Sequence, residues 1–326
     1  AGYDTVGITM KLWKSGDKTS SSEKSCCGTD AVNDARRVAQ ILDIPYYALD
    51  MAQEFENTVI KNFVDEYQEG RTPNPCVQCQ VYAKFGVLLT KARQIGADYI
   101  ATGHYAKLVH GPRHQVFKAS ADEKDQSYTF WPLSQEKLGR ILLPLGDFSS
   151  KDEIRAIAKA LDLPVAAKKD SQEICFVSTN YREFLAGRGI QSRPGEFVTT
   201  DGKIVGLHNG YHNYTVGQRK GLNISMGEAY YVTEVQPLTN RVIIGKRDAL
   251  NKNRFMVNNV NWSGIAKPDT SIKASVKVRY GATEVPVTLT PDGDSVIVDS
   301  ESPIWAISPG QSAVFYRDNL VLGGGY

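Results

Sequence analysis

The feature that most constrains this chain is a change in its hydrophobic periodicity near residue 189. Before that point, segments of strand-like composition alternate with segments whose apolar residues recur at helical spacing. The spacing predicts strands at 6–12, 46–49 and 99–102, and helices at 30–42, 55–67, 81–95 and 150–161. This alternating order predicts an α/β domain with a parallel sheet that is covered by helices on both faces.

After residue 189 the helical periodicity disappears, glycines become frequent and short strands dominate. From residue 272 onward apolar and polar residues alternate, as in a strand with one buried face. Asp292-Gly293 is typical of a hairpin turn. We therefore predict an α/β domain at 1–178, a small β-rich central domain at 179–252 and a C-terminal antiparallel β-barrel at 253–326. The glycine run at 323–325 is interpreted as a frayed tail.

The composition is that of an ordinary globular protein, with 326 residues of which 41% are apolar and 23% are charged. No apolar run approaches the length of a membrane span, so no membrane association is predicted. The net charge of +2 means that any surface for nucleic acid must be local. Five cysteines, an odd number that includes a Cys-x-x-Cys, predict a reducing compartment, with the cytoplasm as the expected location. A monomer is the default expectation.

Two of these cysteines lie in the segment Arg71-Thr-Pro-Asn-Pro-Cys-Val-Gln-Cys79, and another lies at Cys175. The two prolines keep this segment out of a helix until the cysteines, where a helix is predicted to begin. A thiolate is favoured at a helix N-terminus because it faces unpaired N–H groups. Three chemistries remain open: a zinc site, an iron–sulfur cluster on three thiolates with one open iron, and a thiol pair that carries and releases sulfur. Cys26 and Cys27 fit ordinary half-buried residues.

Other polar segments offer possible contacts with a ligand. In Ala101-Thr-Gly-His-Tyr105, Gly103 would let a ligand approach the end of a strand and His104 could donate a hydrogen bond. Lys124-Asp-Gln-Ser127 precedes an aromatic patch and suits phosphate and base edges. The loop Gly217-Gln-Arg-Lys-Gly-Leu222 is basic and bounded by glycines, as in a phosphate contact. For each segment, a solvent-exposed turn is an equal alternative.

Taken together, these segments resemble the bacterial-type tRNA 2-thiouridylases, which replace the C2 oxygen of the wobble uridine by sulfur. The resemblance covers nearly the whole chain in the order of that family. Its matching segments are Met10-Lys-Leu-Trp13, Arg71-Thr-Pro-Asn-Pro75 with Cys79, Ala101-Thr-Gly-His-Tyr105, Lys124-Asp-Gln-Ser-Tyr128, Lys168-Lys-Asp-Ser171 with Ile174-Cys-Phe176, Thr215-Val-Gly-Gln-Arg-Lys-Gly-Leu222, Val278-Arg-Tyr280 and Pro309-Gly-Gln-Ser-Ala-Val-Phe-Tyr316.

The resemblance implies a PP-loop ATPase-like domain of the adenine-nucleotide alpha-hydrolase type, with ATP and Mg²⁺ as cofactors. ATP would adenylate the uridine O2, and a persulfide would then deliver the sulfur. By resemblance Cys79 is the nucleophilic, resolving cysteine and Cys175 carries the persulfide, so a disulfide between them is expected in turnover. A cysteine desulfurase or a sulfur-relay protein would be the donor.

The resemblance also assigns binding roles. It places Met10 and Gly103 against the nucleotide, and Asn74, Pro75 and Cys76 against the target base. The remaining matched positions are expected to contact tRNA: His104, Lys124, Asp125, Gln126, Arg279, Tyr280 and Gln311.

Two departures from the family pattern matter. The family carries a Ser-Gly-Gly-x-Asp-Ser loop after its first strand, and this sequence begins beyond it, so we expect ATP binding by the sequence as it stands to be impaired and full activity to belong to the intact protein. Cys76 also stands where many relatives carry aspartate, which keeps open an iron–sulfur cluster on Cys76, Cys79 and Cys175. The rival hypotheses are a small-molecule synthetase of the same superfamily and a non-catalytic tRNA-binding or metal-binding protein.

Overall fold

The computed structural model describes residues 2–13, 29–168, 174–177 and 180–326. The segment 14–28, which contains Cys26 and Cys27, and most of the Lys168-Lys-Asp-Ser171 motif therefore lie outside the described residues. The helices are α1 at Thr29–Ile41, α2 at 52–68, α3 at 75–94, α4 at Gln135–Leu138, α5 at Lys151–Ala160 and α6 at Tyr181–Gly187. No helix in these ranges is both long and apolar enough to span a bilayer.

The strands alternate with these helices only in the first half of the chain. They are β1 Gly7–Lys11, β2 Tyr46–Asp50, β3 Ile100–Ala101, β4 Ala106–Val109, β5 Gln115–Lys118, β6 Ile141–Leu142, β7 Pro194–Thr199, β8 Ile204–Asn209, β9 Tyr231–Gln236, β10 Arg241–Gly245, β11 Asn251–Val257, β12 Ile272–Lys277, β13 Val285–Asp292, β14 Ser295–Trp305, β15 Ala313–Arg317 and β16 Leu320–Gly325. As predicted, β1 pairs with β2 and β3 with β6 in parallel. Within the described residues these two pairs form two separate two-stranded sheets.

Helix α3, which carries the first two site cysteines, contains a kink. Its middle part, Cys79–Leu88, has π-type hydrogen bonding and leaves helical geometry at Phe85. A side chain at Gly86 would lie 2.8 Å from the Val81 carbonyl oxygen, so only glycine fits there. Lys137 donates to that same carbonyl at 3.0 Å. Because a kink leaves helix carbonyls without their usual partners, the ammonium group of Lys137 stabilises this irregular geometry.

The central domain has its own sheet, with strand order β8–β7–β10–β9, and its own small core. It contacts the end of α2, where Tyr181 stacks on Tyr67 at 4.9 Å between ring centroids and Tyr211 donates to the Gln68 carbonyl at 2.6 Å. Gly70 has a positive φ of 69° and adjoins Pro237 of the central domain. Close packing at this turn therefore fixes how the central domain meets the α/β domain.

The C-terminal sheet crosses the predicted boundary between domains. Its strand order is β11–β14–β13–β12–β15–β16–β5–β4, so the hairpin of β4 and β5 from the first half extends it. The hairpin between β13 and β14 turns at Asp292-Gly293, as predicted. Buried residues Val314, Tyr316 and Val321 belong to the same hydrophobic cluster as the helices of the α/β domain. The α/β domain and the barrel thus share a core.

The interpretation of Gly323-Gly-Gly325 as a frayed tail is wrong. These glycines are buried in β16, which pairs with β15 on one side and with β5 on the other. A side chain at Gly324 would lie 2.7 Å from the Ala313 carbonyl oxygen and 2.9 Å from Cγ of Trp131. Glycine is needed here because the indole ring packs directly on the strand backbone, a contact that no local sequence signal predicts.

Candidate functional site

The proline-rich turn presents its cysteines at the start of α3. The Asn74 side chain accepts a hydrogen bond from the Val77 N–H at 3.3 Å, and Pro75 occupies the first helical turn. Val77 is fully buried, Cys76 is exposed and Cys79 is half-buried. An Asn cap followed by proline is a favourable helix start. The first thiol is therefore displayed to solvent within the first turn, where the helix dipole favours a thiolate.

The barrel holds this turn from outside. The Thr72 N–H donates to the Pro309 carbonyl at 2.8 Å, and Gln311 Nε2 donates to the carbonyls of Thr72 and Pro73 at 3.0 and 3.1 Å. Gly310 has a φ of +88°, and a side chain there would meet the Thr72 oxygen at 2.9 Å. Because these carbonyls adjoin prolines and have no hydrogen-bond partner within a helix, the Gln311 side chain serves as their donor. The predicted tRNA contact at Gln311 is, in this structure, a brace of the cysteine turn.

Arg71 is part of the same brace. Its Nε and Nη2 donate to the two carboxylate oxygens of Glu66 at 2.7 Å each, and its Nη1 pairs with Glu69. The hydrogen bonds to Glu66 raise the pKa of Arg71 far above its ordinary value. A bidentate arginine–carboxylate pair has a fixed geometry. Arg71 thus ties the turn to the end of α2.

Cys175 borders the same hydrophobic core as Cys79. Its neighbour Phe176 makes edge contacts with Phe55 and Phe63 of α2, at centroid distances of 5.8 and 5.2 Å. The two cysteines, far apart in sequence, are therefore both attached to the core beneath α2 and α3. Across the described ranges, no group of three or more His, Cys, Asp or Glu side chains is placed to hold a metal ion. The three site thiols do not converge as a ready ligand set.

His104 lies in a buried hydrogen-bond network beside α3. Its Nδ1 lies 2.7 Å from the Thr102 hydroxyl, while its Nε2 lies 2.7 Å from Gln80 Nε2 and 3.0 Å from Lys84 Nζ. Because an ammonium group can only donate, Nε2 accepts and the ring proton is on Nδ1. Burial, and secondarily the charge of Lys84, lowers the pKa of His104 to about 2. The His104 ring is therefore neutral and enclosed, and the solvent-exposed turn that the sequence allowed at this position is not what the structure shows.

The Lys124–Gln126 segment connects the barrel to the cysteine turn. Asp125 is buried and accepts hydrogen bonds from the Ala119 and Ser127 N–H groups at 3.0 and 3.1 Å. Gln126 accepts from the Tyr105 N–H at 3.0 Å. The Tyr280 hydroxyl donates to the Asp125 carbonyl oxygen at 2.9 Å. Asp125 and Gln126 thus fix the conformation of the backbone segment that accepts the hydrogen bond from Tyr280.

Tyr280 is thus the barrel residue that contacts this segment. Burial raises the pKa of its hydroxyl, and the charges of Asp125 and, less strongly, Cys76 raise it further.

Comparison with known proteins identifies the family of this chain. Three family models match along the chain: the tRNA methyl transferase HUP domain at residues 1–179, the tRNA methyl transferase PRC-barrel domain at 182–246 and the aminomethyltransferase beta-barrel domain at 252–326. The tRNA-specific 2-thiouridylase MnmA of Clostridium perfringens strain 13 is 44% identical over 99% of this chain and 91% of its own length. The chain belongs to the tRNA-specific 2-thiouridylase family.

Further relatives are also named tRNA-specific 2-thiouridylase MnmA. The MnmA of Lachnoclostridium phytofermentans is 45% identical over 100% of this chain and 92% of its own length. The MnmA of Caldicellulosiruptor saccharolyticus is 43% identical over 99% of this chain and 91% of its own length. The similarity therefore extends through all three domains and is not confined to the cysteine segments.

The two residues expected at the nucleotide of this 2-thiouridylase family member lie at strand ends. Met10 is in β1 beside the core, and Gly103 follows β3, so both mark the carboxyl side of parallel strands, where ligands bind in such sheets. A side chain at Gly103 would meet only Leu145 Cδ1, at an ordinary 3.5 Å. Internal packing therefore does not require glycine at this position, and the contact between Gly103 and a nucleotide stays a prediction.

Sequence reasoning missed the residues that connect the site to its surroundings. Gln80 and Lys84 surround His104, and Gln78 donates to the hydroxyl of the last residue, Tyr326, at 2.9 Å. Gln80 is nearly fully buried, and Lys84, one turn later on α3, contacts the same histidine. Two polar residues four positions apart on the helix that carries Cys79 were a signal in the sequence that could have identified this pair.

Proposed function

We propose that this chain replaces the C2 oxygen of the wobble uridine of tRNA by sulfur, in an ATP-dependent reaction. The observation that carries the proposal is the proline-braced cysteine turn, which is held by Gln311 of the barrel and exposes Cys76 at the start of α3. A rigid thiol at a helix N-terminus suits sulfur transfer, and the arrangement leaves Cys76 open to a substrate base. Full-length similarity to proteins named tRNA-specific 2-thiouridylase supports the same substrate.

The proposed reaction has two stages. The uridine O2 attacks the α-phosphorus of ATP and pyrophosphate leaves, which makes O2 part of a good leaving group. The terminal sulfur of a persulfide on Cys175 then attacks C2, and AMP departs with the original oxygen. Met10 and Gly103 would adjoin the nucleotide, and Mg²⁺ would neutralise its phosphates. Asn74, Pro75 and Cys76 would adjoin the uracil.

Release of the sulfur requires the second thiol. The Cys79 thiolate attacks Sγ of Cys175, the bond to the transferred sulfur breaks, and the electron pair stays with that sulfur as the new C2 thione forms. A disulfide between Cys79 and Cys175 remains and must be reduced by an external thiol before the next cycle. The persulfide itself would come from a cysteine desulfurase or a sulfur-relay protein. We place the protein in the cytoplasm as a monomer.

The iron–sulfur route is the main alternative for the sulfur step. It would use Cys76, Cys79 and Cys175 as ligands, so these three thiols would have to converge. We favour the persulfide relay because, in the described residues, no three metal-ligating side chains do so. Anaerobic purification followed by iron analysis separates the two routes, since a colourless and iron-free protein with full activity contradicts the cluster.

The activity is tested with the purified intact protein, ATP, unmodified tRNA and a cysteine desulfurase. Thiolated tRNA is retarded on an acryloyl-mercury gel, whereas methylated tRNA is not, so the assay also separates thiolation from the methyl transfer in the family-model descriptions. We expect retardation with wild type and with a Cys27→Ser control, and none with Cys175→Ser. Lack of retardation with wild type would leave the synthetase and the non-catalytic binding protein as the remaining explanations.

A further inference from the structure

Two arginines flank one tryptophan where the central domain meets the barrel. The guanidinium carbons of Arg247 and Arg279 lie 4.9 and 5.4 Å from the centroid of the Trp305 ring. Arg247 opens the 3-10 turn after the central sheet, Arg279 follows β12, and Trp305 ends β14. Cation–π attraction holds guanidinium groups in fixed positions over an aromatic face. We call these three residues the arginine–tryptophan stack.

The basic loop at 217–221 packs against this stack. Gly217 has a φ of +88°, and a side chain there would lie 2.9 Å from Cβ of Ala306 and 3.4 Å from Cη2 of Trp305. The Gly217 N–H donates to the Val232 carbonyl at 2.8 Å, so the start of the loop is tied to β9. Glycine at 217 thus lets the loop backbone contact the indole. The next residues, Arg219 and Lys220, are exposed beside it.

The basic side chains of this surface are not neutralised by carboxylates of the described residues. In the part of the chain that the structure describes, no carboxylate lies within ion-pair distance of Arg219, Lys220, Arg247 or Arg279. The nearby Glu228 pairs with Lys246 at 2.9 Å instead. Like charges that are brought together without counter-charges repel one another, so their placement points to an anionic ligand.

The stack also adjoins the site of the proposed reaction. Arg279 is the residue before Tyr280, whose hydroxyl donates to the Asp125 carbonyl and whose pKa is raised in part by the charge of Cys76. Both residues lie in the bend and turn directly after β12. This short segment of the barrel therefore supplies Tyr280 to the Asp125 backbone and Arg279 to the stack.

We propose that the arginine–tryptophan stack and loop 217–221 bind the phosphate backbone of the tRNA beside the thiolation site. The proposal rests on the proposed function and adds Arg247, Trp305, Arg219 and Lys220 to it. Guanidinium groups bind phosphate with two parallel hydrogen bonds, and such contacts position a nucleic acid without reading its sequence. The surface would set the register of the RNA so that the wobble uridine meets the cysteine turn.

The test measures the affinity of the full chain for unmodified tRNA as a function of salt concentration. Arg247→Gln and Arg279→Gln should each weaken binding by about two- to fivefold. The association constant K for tRNA falls as salt rises, so the slope of log K against log salt concentration is negative. Each variant should also reduce the magnitude of this slope by about 0.7 to 0.9, the value for one lost phosphate contact. Arg241→Gln is the matched control, because Arg241 of the same central domain is already paired with Glu196 at 2.9 Å. It should keep the wild-type slope.

The wild-type protein offers a second measurement that needs no variant to fold. Bound tRNA should protect Arg247 from an arginine-selective reagent such as phenylglyoxal, as mapped by mass spectrometry, and should leave Arg241 unaffected. Wild-type slopes in both glutamine variants, or equal modification of Arg247 with and without tRNA, would overturn the proposed surface while tRNA binding and thiolation persist. Failure of wild type to bind tRNA at low salt would instead overturn the proposed function, and this inference with it.

Discussion

The imidazole of His104 is enclosed by hydrogen bonds to Thr102, Gln80 and Lys84, and this enclosure decides its protonation. The same residue type at an exposed turn would titrate near neutral pH. At the residue scale, burial and a neighbouring ammonium group convert His104 into a permanently neutral acceptor next to the helix that carries Cys79. Its expected contact with tRNA would have to be made through small movements of this network, and it stays a prediction.

His104 makes the stability of the protein depend on pH in one direction. The folded-state pKa of about 2 lies below the unfolded value of 6.5, so only the unfolded chain takes up this proton as pH falls below 6.5. Stability should therefore be lost from pH 6.5 downward, by about 2 kcal/mol from this group between pH 7 and pH 5. Urea unfolding of wild type and His104→Gln should show a smaller loss in the variant. Equal losses would contradict the buried neutral ring.

The kinetics of a Gln311 variant can distinguish two roles of this residue, namely a brace of the cysteine turn and a contact with tRNA. As a brace, it holds the Thr72 and Pro73 carbonyls, so Gln311→Leu should disorder the cysteine turn and lower kcat by about tenfold, the equivalent of one or two hydrogen bonds. As a tRNA contact alone, its loss would raise KM and leave kcat unchanged. Steady-state thiolation assays with Gln236→Leu in the central sheet as control distinguish the two outcomes.

At the element scale, irregular geometry occurs where chain segments approach closely. The π-type section of α3 depends on Gly86 and on Lys137 from α4, and β16 depends on its glycines beneath Trp131. Each is a place where backbone meets backbone or an aromatic ring, so the side-chain volume is dictated by a distant segment. The barrel therefore contacts the cysteine turn through closely packed backbone segments.

Adding one methyl group tests this packing. Gly324→Ala places Cβ 2.7 Å from the Ala313 oxygen and 2.9 Å from the Trp131 ring, so overpacking should cost about 1–3 kcal/mol of unfolding free energy. Gly281→Ala is the matched control, since no atom lies within 4 Å of its added methyl. Denaturant unfolding should separate the two variants. Equal stability would show that β16 has room for side chains.

At the scale of the whole molecule, we expect the α/β domain, together with helix α6, and the barrel to unfold as one cooperative unit and the sheet of the central domain as a second. Val314, Tyr316 and Val321 of the barrel lie in the hydrophobic cluster of the α/β domain, and the hairpin of β4 and β5 completes the C-terminal sheet. The central core is separate. A shared core means that loosening the barrel must also loosen α3 and the cysteine turn.

Hydrogen exchange can detect this coupling. Val314→Ala removes buried methyl groups from the shared core, at about 1–3 kcal/mol, and should speed exchange in both the barrel and α3. Val242→Ala, equally buried in the central core, should speed exchange in the central sheet alone. Faster exchange in the barrel without any change in α3 would contradict a single cooperative unit.

Local signals in the sequence determined the parts of this protein that depend on neighbouring residues. The Asp292-Gly293 hairpin and the parallel order of β1 and β2 follow from short-range sterics and hydrogen bonding, and the motif series identified the family. The helix start at Pro75 differs from the prediction, which kept the proline segment out of a helix until the cysteines. Tertiary structure alone decided the burial of His104 and the strand at Gly323-Gly-Gly325. It also decided that the hairpin of β4 and β5 joins the barrel and that Gln311 hydrogen-bonds to the cysteine turn. These features depend on contacts between residues up to hundreds of positions apart, whose burial and pairing no local pattern encodes.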